Sequence, residues 1–350
     1  METLPRHRFA PDQVWAWNGS HWVAVDRSQA PERWAAEVYR GPYHSTVTQI
    51  KDGLPSSSLS CSSVVADMLD SLMAEPGHQV LELGTGTGWN AALLALRVGP
   101  GRVTSAEVDP QLAAEARGRL EAAGLDVAVH VGDGALGWAP GAPYDRLIAT
   151  YAVETVPWEW VRQTRPGGRI VTPWGRLGHI ALTVADDGRS ASGWVQGLGT
   201  FMPSRGVDQG LELNQVRRRG GGRTEGLFPR SATALHDANL LFALRVLVPD
   251  IRVSTAGGAV AWLHDGHSSW ASLTDHEDGR TTFVQGGPLR LLDELARGWA
   301  EWERAGQPSL FDFGMTRTES DQWIWSDHDG ERRRWEPLRA PRRPACGSAA

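Results

Sequence analysis

Five residues, Gly84-Thr85-Gly86-Thr87-Gly88, constrain this chain more than any other stretch. Before them Val80–Leu83 reads as a buried strand, and after them Asn90–Leu96 reads as an apolar helix. A strand that turns straight into a helix beneath a ligand needs residues without a Cβ. Glycine reaches positive φ at little cost and lets the ligand approach the backbone. The stretch VLELGTGTGWNAALLA is therefore a nucleotide-binding strand, turn and helix in expectation.

The spacing is E-x-G-x-G-x-G, not the G-x-G-x-x-G of dinucleotide sites. A second strand, Val103–Val108, carries Glu107 near its end, about 20 residues after the loop, where a ribose-binding carboxylate belongs. A third apolar run, Val127–Val131, leads into Gly132-Asp133-Gly134. Two acids and a glycine turn without a lysine suit a neutral adenosine carrying a cationic sulfonium better than a polyphosphate. S-adenosyl-L-methionine is the expected cofactor.

The chain has 350 residues, enough for two domains or one large domain with additions. No apolar run approaches the roughly 20 residues that cross a bilayer, and METLPRHR lacks the apolar core of a secretory signal. A net charge of −6 argues against general nucleic-acid binding. Cys61 and Cys346 form no disulfide or metal pattern, and the histidines show no ligand spacing, so no metal is expected. A cytoplasmic monomer without nucleic-acid or membrane partners is the expectation. Of the 17 tryptophans, Trp15, Trp17, Trp22 and Trp34 crowd the N-terminal segment. They serve either to pack a loop-rich segment or to line a peptide groove.

Along the chain, residues 1–54 form a tryptophan-rich segment with one short helix at Pro31–Tyr39 and a strand or extended lid at Tyr43–Ile50. Lys51–Ser63 reads as polar turns, and Val64–Met73 as a helix ended by Pro76-Gly77. Residues 55–205 then alternate strand and helix, with Leu112–Ala123 helical, Asp145–Thr150 and Arg169–Pro173 as strands, and a hairpin over His179–Leu198. That alternation predicts an α/β fold, a doubly wound Rossmann-like sheet. Residues 206–335 form a C-terminal α+β region. It opens with the basic joint RRRGGGR (Arg217–Arg223), carries short strands at 251–263, 269–273 and 281–285, a helix at Leu289–Arg304 and a last strand at Trp323–Trp325. From Arg332 the chain reads as a tail, with residues 336–350 expected to be disordered.

Taken together, these segments resemble the protein-L-isoaspartate O-methyltransferases over about Leu59 to Pro203. VLELGTGTGWNAALLA is similar to that family's cofactor loop, VGDGALGW to its adenine-side loop, and APYDRLIATYAVETVPWEWVRQTRPGGRIVTPWG to its long signature. LSCSSVVADMLDSL resembles the segment carrying the family's serine in a Thr-Ile-Ser-x-Pro pattern, which places that serine at Ser60, after Ser58 and Leu59. Ser62 stands where the family has proline, and Ser57 or Ser58 competes for the role. The long C-terminal region and the tryptophans look more like actinobacterial relatives that modify ribosomally made peptides (graspetides, lanthipeptides, lasso peptides).

The resemblance implies transfer of a methyl group to an aspartate carboxylate of a cyclised precursor peptide, the ester then closing to an aspartimide. Repair of L-isoaspartyl residues in damaged proteins is the alternative. The carboxylate is already ionised at neutral pH, with a reference pKa near roughly 4, so no general base is needed. Ser60 and Ser58 are the expected catalytic residues, orienting the acceptor, with an N-cap of the next helix as the plainer role for Ser60. Glu82, Gly84, Thr85, Gly86, Gly88, Glu107, Val108, Gly132, Asp133, Gly134 and Thr150 are expected to bind the cofactor. Within that set Glu107 holds the ribose, Asp133 faces the adenine amino group, and Gly84 and Gly86 lie under the methionine. Tyr151 follows Thr150 at the end of the fourth strand.

Overall fold

The computed structural model describes residues 3–175, 177–206, 210–255 and 257–338, which fall into two units. The first runs to Gly206 and takes up Met315–Gln322 again; the second holds the rest.

The first unit begins with an antiparallel sheet ordered β2-β1-β3-β4. Its strands are β1 (Gln13–Trp17), β2 (Trp22–Asp26), β3 (Thr46–Lys51) and β4 (Leu54–Leu59), with α1 (Pro31–Val38) between β2 and β3. Lys51 faces Leu54 across the β3–β4 hairpin, and Asp52 and Gly53 at its tip have φ of 52° and 79°. Two left-handed residues match the twist of the strands they join, and Asp-Gly is a favoured pair there. This corrects the reading of 51–63 as polar turns. Serine and proline are poor strand formers, but pairing with β3 and burial of Ser57 and Leu59 on one face override that preference. The sequence boundary at residue 54 falls inside this hairpin, and the tryptophan-rich segment is part of the first unit. Leu4, Phe9, Val14 and Trp34 share one core with Leu59, Trp89 and Leu120.

After α2 (Ser62–Leu72) come β5 (Val80–Leu83), α3 (Trp89–Val98), β6 (Val103–Glu107), α4 (Pro110–Ala122), β7 (Val127–Val131) and β8 (Tyr144–Ala149). Then follow α5 (Trp158–Gln163), β9 (Thr164–Trp174), β10 (Gly178–Val184) and β11 (Ser190–Leu198). The strands lie in the order β11-β10-β9-β8-β5-β6-β7. β5 is parallel to both β6 and β8, which are themselves parallel to β7 and β9, whereas β10 and β11 are antiparallel. The chain leaves β5 in one direction for β6 and β7, then returns to its other side for β8 and β9. A crevice therefore opens at the β5–β8 switch, the usual ligand position in such sheets. Asp109 caps α4, accepting from the amides of Gln111 and Leu112, and Pro110 sits in the helix's first turn.

In the second unit α6 (Leu213–Arg219) carries Arg217–Arg219 in its last turn, where cations complement the helix dipole. The expected basic joint is thus a helix end followed by β12 (Arg223–Phe228). An apolar helix that sequence analysis does not assign, α7 (Ala238–Leu247), packs against α8 (Leu291–Arg304). Between them β13 (Arg252–Thr255), β14 (Val260–His264), β15 (Trp270–Asp275) and β16 (Thr281–Gly286) form an antiparallel sheet ordered β12-β16-β15-β14-β13. The strand expected over 251–263 is broken at Gly257-Gly258, whose φ values are 59° and 109°. β17 (Phe313–Thr318) lies beside β11 through its first-unit residues, with Ser192 Oγ donating to Met315 O at 3.2 Å. β18 (Gln322–His328) pairs with β19 (Glu331–Trp335), which corrects the tail expected from Arg332; residues 339–350 of that tail lie outside the described residues. No helix among the described residues is long and apolar enough to cross a membrane.

Leu94 of α3 is fully buried beside Val80, Val103, Ile148 and Val171. Leu94→Ala should destabilise the first unit by about 2–5 kcal/mol, read as a lower denaturant midpoint. An unchanged midpoint would show that this helix is not packed on the sheet as described.

Candidate active site

A cleft of about 600 Å³ opens at the carboxyl ends of β5, β6 and β8. Its floor is the turn Gly84-Thr85-Gly86, with Gly84 and Gly86 at φ of 90° and 52°. A Cβ on Gly84 would lie 2.5 Å from Thr150 Oγ1, and that hydroxyl donates to Gly84 O at 2.6 Å. Glycine is therefore required by both φ and space. Gly86 donates its amide to Glu107 Oε2 at 2.9 Å, and Asp109 donates to Oε1 at 3.1 Å, so two amides fix the Glu107 carboxylate at the end of β6.

Glu107, Val108, Asp133, Gly134, Thr150 and Tyr151 continue the lining. Asp133 accepts from the Ala135 amide at 2.9 Å. Tyr151 packs so closely that a Cβ on Gly134 would lie 2.3 Å from its hydroxyl. Burial pushes the Tyr151 phenol up, and the charges of Asp133 and Glu107 add to the effect. Tyr151 therefore stays neutral between the two acids.

Three expected residues sit elsewhere. Gly88 is turned away from the cleft, at the point where a Cβ would touch Ala116 and Leu120 of α4. Gly132 packs against the Trp138 ring. Glu82 is fully buried beneath the loop, accepting from Asn90 Nδ2 at 2.8 Å and from Ser105 Oγ at 2.5 Å; Ser105 Oγ also lies 2.6 Å from Thr85 Oγ1. Of the three, Glu82 supports the turn from below, through Ser105 and Thr85. Thr85 is itself buried and also lines the cleft.

The opposite wall comes from the first sheet. Ser56, Ser57, Ser58 and Ser60 of β4 and the turn after it all line the cleft. Ser57 is nearest the floor, its Oγ 3.8 Å from the position of a Cβ on Gly86, but it already accepts from Thr48 Oγ1 at 3.2 Å. The Ser60 hydroxyl has no hydrogen-bond partner among the described residues, while its carbonyl accepts from Arg6. Cys61, not Ser60, is the N-cap residue of α2, without a side-chain cap bond. The capping role considered for Ser60 is thereby corrected.

Sequence reasoning missed Arg205. It donates to Asp109 Oδ2 and to Gln49 Oε1, each at 2.9 Å, joining the chain after β11 to β3 and to the start of α4. Burial opposes ionisation of Asp109, yet the hydrogen bonds from Arg205, Gln49 and two helix amides hold it down at about 2. The Asp-Pro pair at 109–110 was a legible helix start; nothing in the sequence announced Arg205. Arg205 is the cation among the cleft-lining residues, and its charge is spent on Asp109. Among the described residues that line the cleft, a polyphosphate would find two carboxylates and no free cation. Among the described residues no group of histidine, cysteine and acidic side chains is placed to hold a metal ion.

A family model described as protein-L-isoaspartate(D-aspartate) O-methyltransferase matches residues 21–195. The chain is 45% identical over 121 residues to the protein-L-isoaspartate O-methyltransferase of Methanopyrus kandleri, covering 34% of this chain and 54% of that protein. It is 36% identical over 168 residues to protein-L-isoaspartate O-methyltransferase 1 of Archaeoglobus fulgidus, covering 47% and 77%. A solved structure of a protein-L-isoaspartate O-methyltransferase aligns with a TM-score of 0.47 and 23% identity, over 79% of this chain and 84% of the other. The chain thus spans about half the length of the first of these relatives.

Burial raises the Glu82 carboxyl to about 7; the hydrogen bonds from Ser105 and Asn90 oppose the shift, and the Glu107 charge adds to it. A raised carboxyl keeps its proton in the folded state while the unfolded chain loses it. Stability therefore falls as pH rises from about 4.5 to 7, by up to roughly 3 kcal/mol. Glu82→Gln should flatten that fall, seen as a melting-temperature gain over wild type that grows across this range and then levels. A gain independent of pH would mean that Glu82 is charged throughout.

Proposed function

The chain belongs to the protein-L-isoaspartate(D-aspartate) O-methyltransferase family, and from that premise we propose that it methylates the carboxylate of an isoaspartyl residue in a peptide or protein, using S-adenosylmethionine. The observation that carries this reading is one cleft with two unlike walls. One wall is a glycine floor flanked by Glu107 and Asp133; the other is a row of serines ending in the unpaired Ser60 hydroxyl.

The residues fit the cofactor. Gly84 and Gly86 leave backbone exposed for close approach, Glu107 is fixed by two amides as an acceptor for ribose hydroxyls, and Asp133 stands beyond it for the adenine amino group. Both acids also favour a cationic ligand over an anionic one. Bound there, S-adenosylmethionine supplies the methyl group: the methyl–sulfur bond breaks with its electrons on sulfur while a carboxylate oxygen bonds to carbon.

The chain's own part is to hold the acceptor in line, which can be worth roughly 7–11 kcal/mol. Ser60 donates to one carboxylate oxygen and leaves the other free to attack. Tyr151 remains neutral and closes the floor without adding charge. No proton moves in the transfer. Afterwards the amide nitrogen of the next substrate residue attacks the ester carbonyl, methanol departs and a five-membered imide closes.

The family match favours the isoaspartyl acceptor over the aspartate of a modified ribosomal peptide. The second reading draws on the residues after Gly206, which lie beyond the matched 21–195. Paired peptides carrying isoaspartate or aspartate at one position, each linear and cyclised, separate the two with methyl-labelled cofactor. Label in the linear isoaspartyl peptide alone is expected; label in the cyclised aspartyl peptide alone would reverse the assignment.

Two substitutions test the walls separately. Glu107→Ala should weaken S-adenosylhomocysteine binding by about 1.5–3 kcal/mol for each ribose bond lost, measured by calorimetry. Undiminished binding would remove Glu107 from the site. Ser60→Ala should leave that binding intact and slow transfer roughly ten- to a hundredfold. Transfer at the wild-type rate would pass the role to Ser58 or Ser57.

A further inference from the structure

Behind the Ser60 turn lies a buried cation. Arg6 is 8% exposed, and its guanidinium donates to three carbonyls: Nε to Val38 O at 3.2 Å, Nη2 to Leu59 O at 3.2 Å and Nη1 to Ser60 O. Its Cζ lies 4.9 Å from the centroid of Trp89, the first residue of α3 after the glycine turn, and Trp89 Nε1 in turn donates to Leu4 O at 2.9 Å. Arg6 therefore touches both walls of the cleft from the rear. No carboxylate among the described residues pairs with it. An arginine keeps its proton in such a place, and a buried cation without an anion is costly.

We propose that Arg6 is a positioning residue for methyl transfer, locking the Leu59–Ser60 turn onto the cofactor loop and presenting an uncompensated positive charge to the incoming acceptor carboxylate. The inference rests on the methyltransferase reading above and adds a residue outside the matched segment 21–195. The two roles separate kinetically. Three carbonyls held by one rigid fork set where the Ser60 hydroxyl points, which acts on kcat. The charge attracts the anionic acceptor but not the neutral ester it becomes, so it acts on KM for the peptide. Lysine keeps the charge, but its single ammonium cannot span the three carbonyls.

The test compares Arg6→Met and Arg6→Lys in the full chain, with whichever carboxylate peptide the wild type methylates. Arg6→Met should raise peptide KM and lower kcat, each about tenfold, and Arg6→Lys should restore KM but not kcat. S-adenosylhomocysteine affinity should stay within about twofold in both variants. Amide hydrogen exchange, which needs no turnover, should quicken at least about tenfold over residues 59–63 in Arg6→Met and remain unchanged over 80–86. Wild-type kcat and KM in both variants would overturn the proposal, as would exchange at 59–63 that does not change. Loss of S-adenosylhomocysteine binding in both would also overturn it, since Arg6 would then serve the fold at large. If the wild type methylates neither isoaspartyl nor aspartyl peptides, the methyltransferase reading falls, and the exchange result alone decides whether Arg6 holds the turn.

Discussion

The hydrogen bond from the Gly86 amide to the Glu107 carboxylate is the constraint on which the cleft depends. It ties the turn after β5 to the end of β6, so the glycine floor and the acid beside it move as one piece. Beneath them Glu82, Ser105 and Thr85 form a buried polar chain that holds the same turn from the other side. Such a chain is worth its desolvation only when every member is bonded. Here it is, and the turn is bonded on both sides where a ligand would press on it.

The second wall has a different origin. β4 belongs to the N-terminal sheet, and its serines reach the cleft because Leu59 is anchored in the core shared with Trp89 and Leu120. Of the tryptophans in that segment Trp34 serves packing: it is buried and donates Nε1 to Pro11 O at 2.9 Å, whereas Trp17 is 50% exposed. Arg205 fastens the rim, joining β3, the start of α4 and the chain after β11 through Asp109 and Gln49. Floor, opposite wall and rim come from distant parts of the sequence. Their proximity is a property of the fold, not of any motif.

That difference explains what was legible. The glycine turn, Glu107 and Asp133 each stand at a strand end with its own local signature, and the alternation of strand and helix announces the parallel sheet. Glu82, Gly88 and Gly132 stand in the same motifs but face away from the cleft. Gly86 and Gly88, like Gly132 and Gly134, are two residues apart and would share a side on a straight strand, so it is the course of each turn, which spacing does not encode, that separates them. β4 was hidden because serine and proline have little strand preference of their own, although Asp52-Gly53 marked the hairpin. α7 is apolar at every position except Asn239 and Arg245 and is mostly buried, so it lacks the periodicity of a surface helix. Arg6 and Arg205 act through carbonyls and side chains far along the chain, which no local pattern encodes.

A crystal structure of the full chain with S-adenosylhomocysteine tests the central claim most directly. The account predicts the ligand in the cleft, with ribose hydroxyls on Glu107, adenine toward Asp133, the sulfur over Gly84–Gly86 and the Ser60 hydroxyl facing the sulfur from the far wall. A ligand bound elsewhere, or bound there with Ser60 turned away from the sulfur, would contradict it.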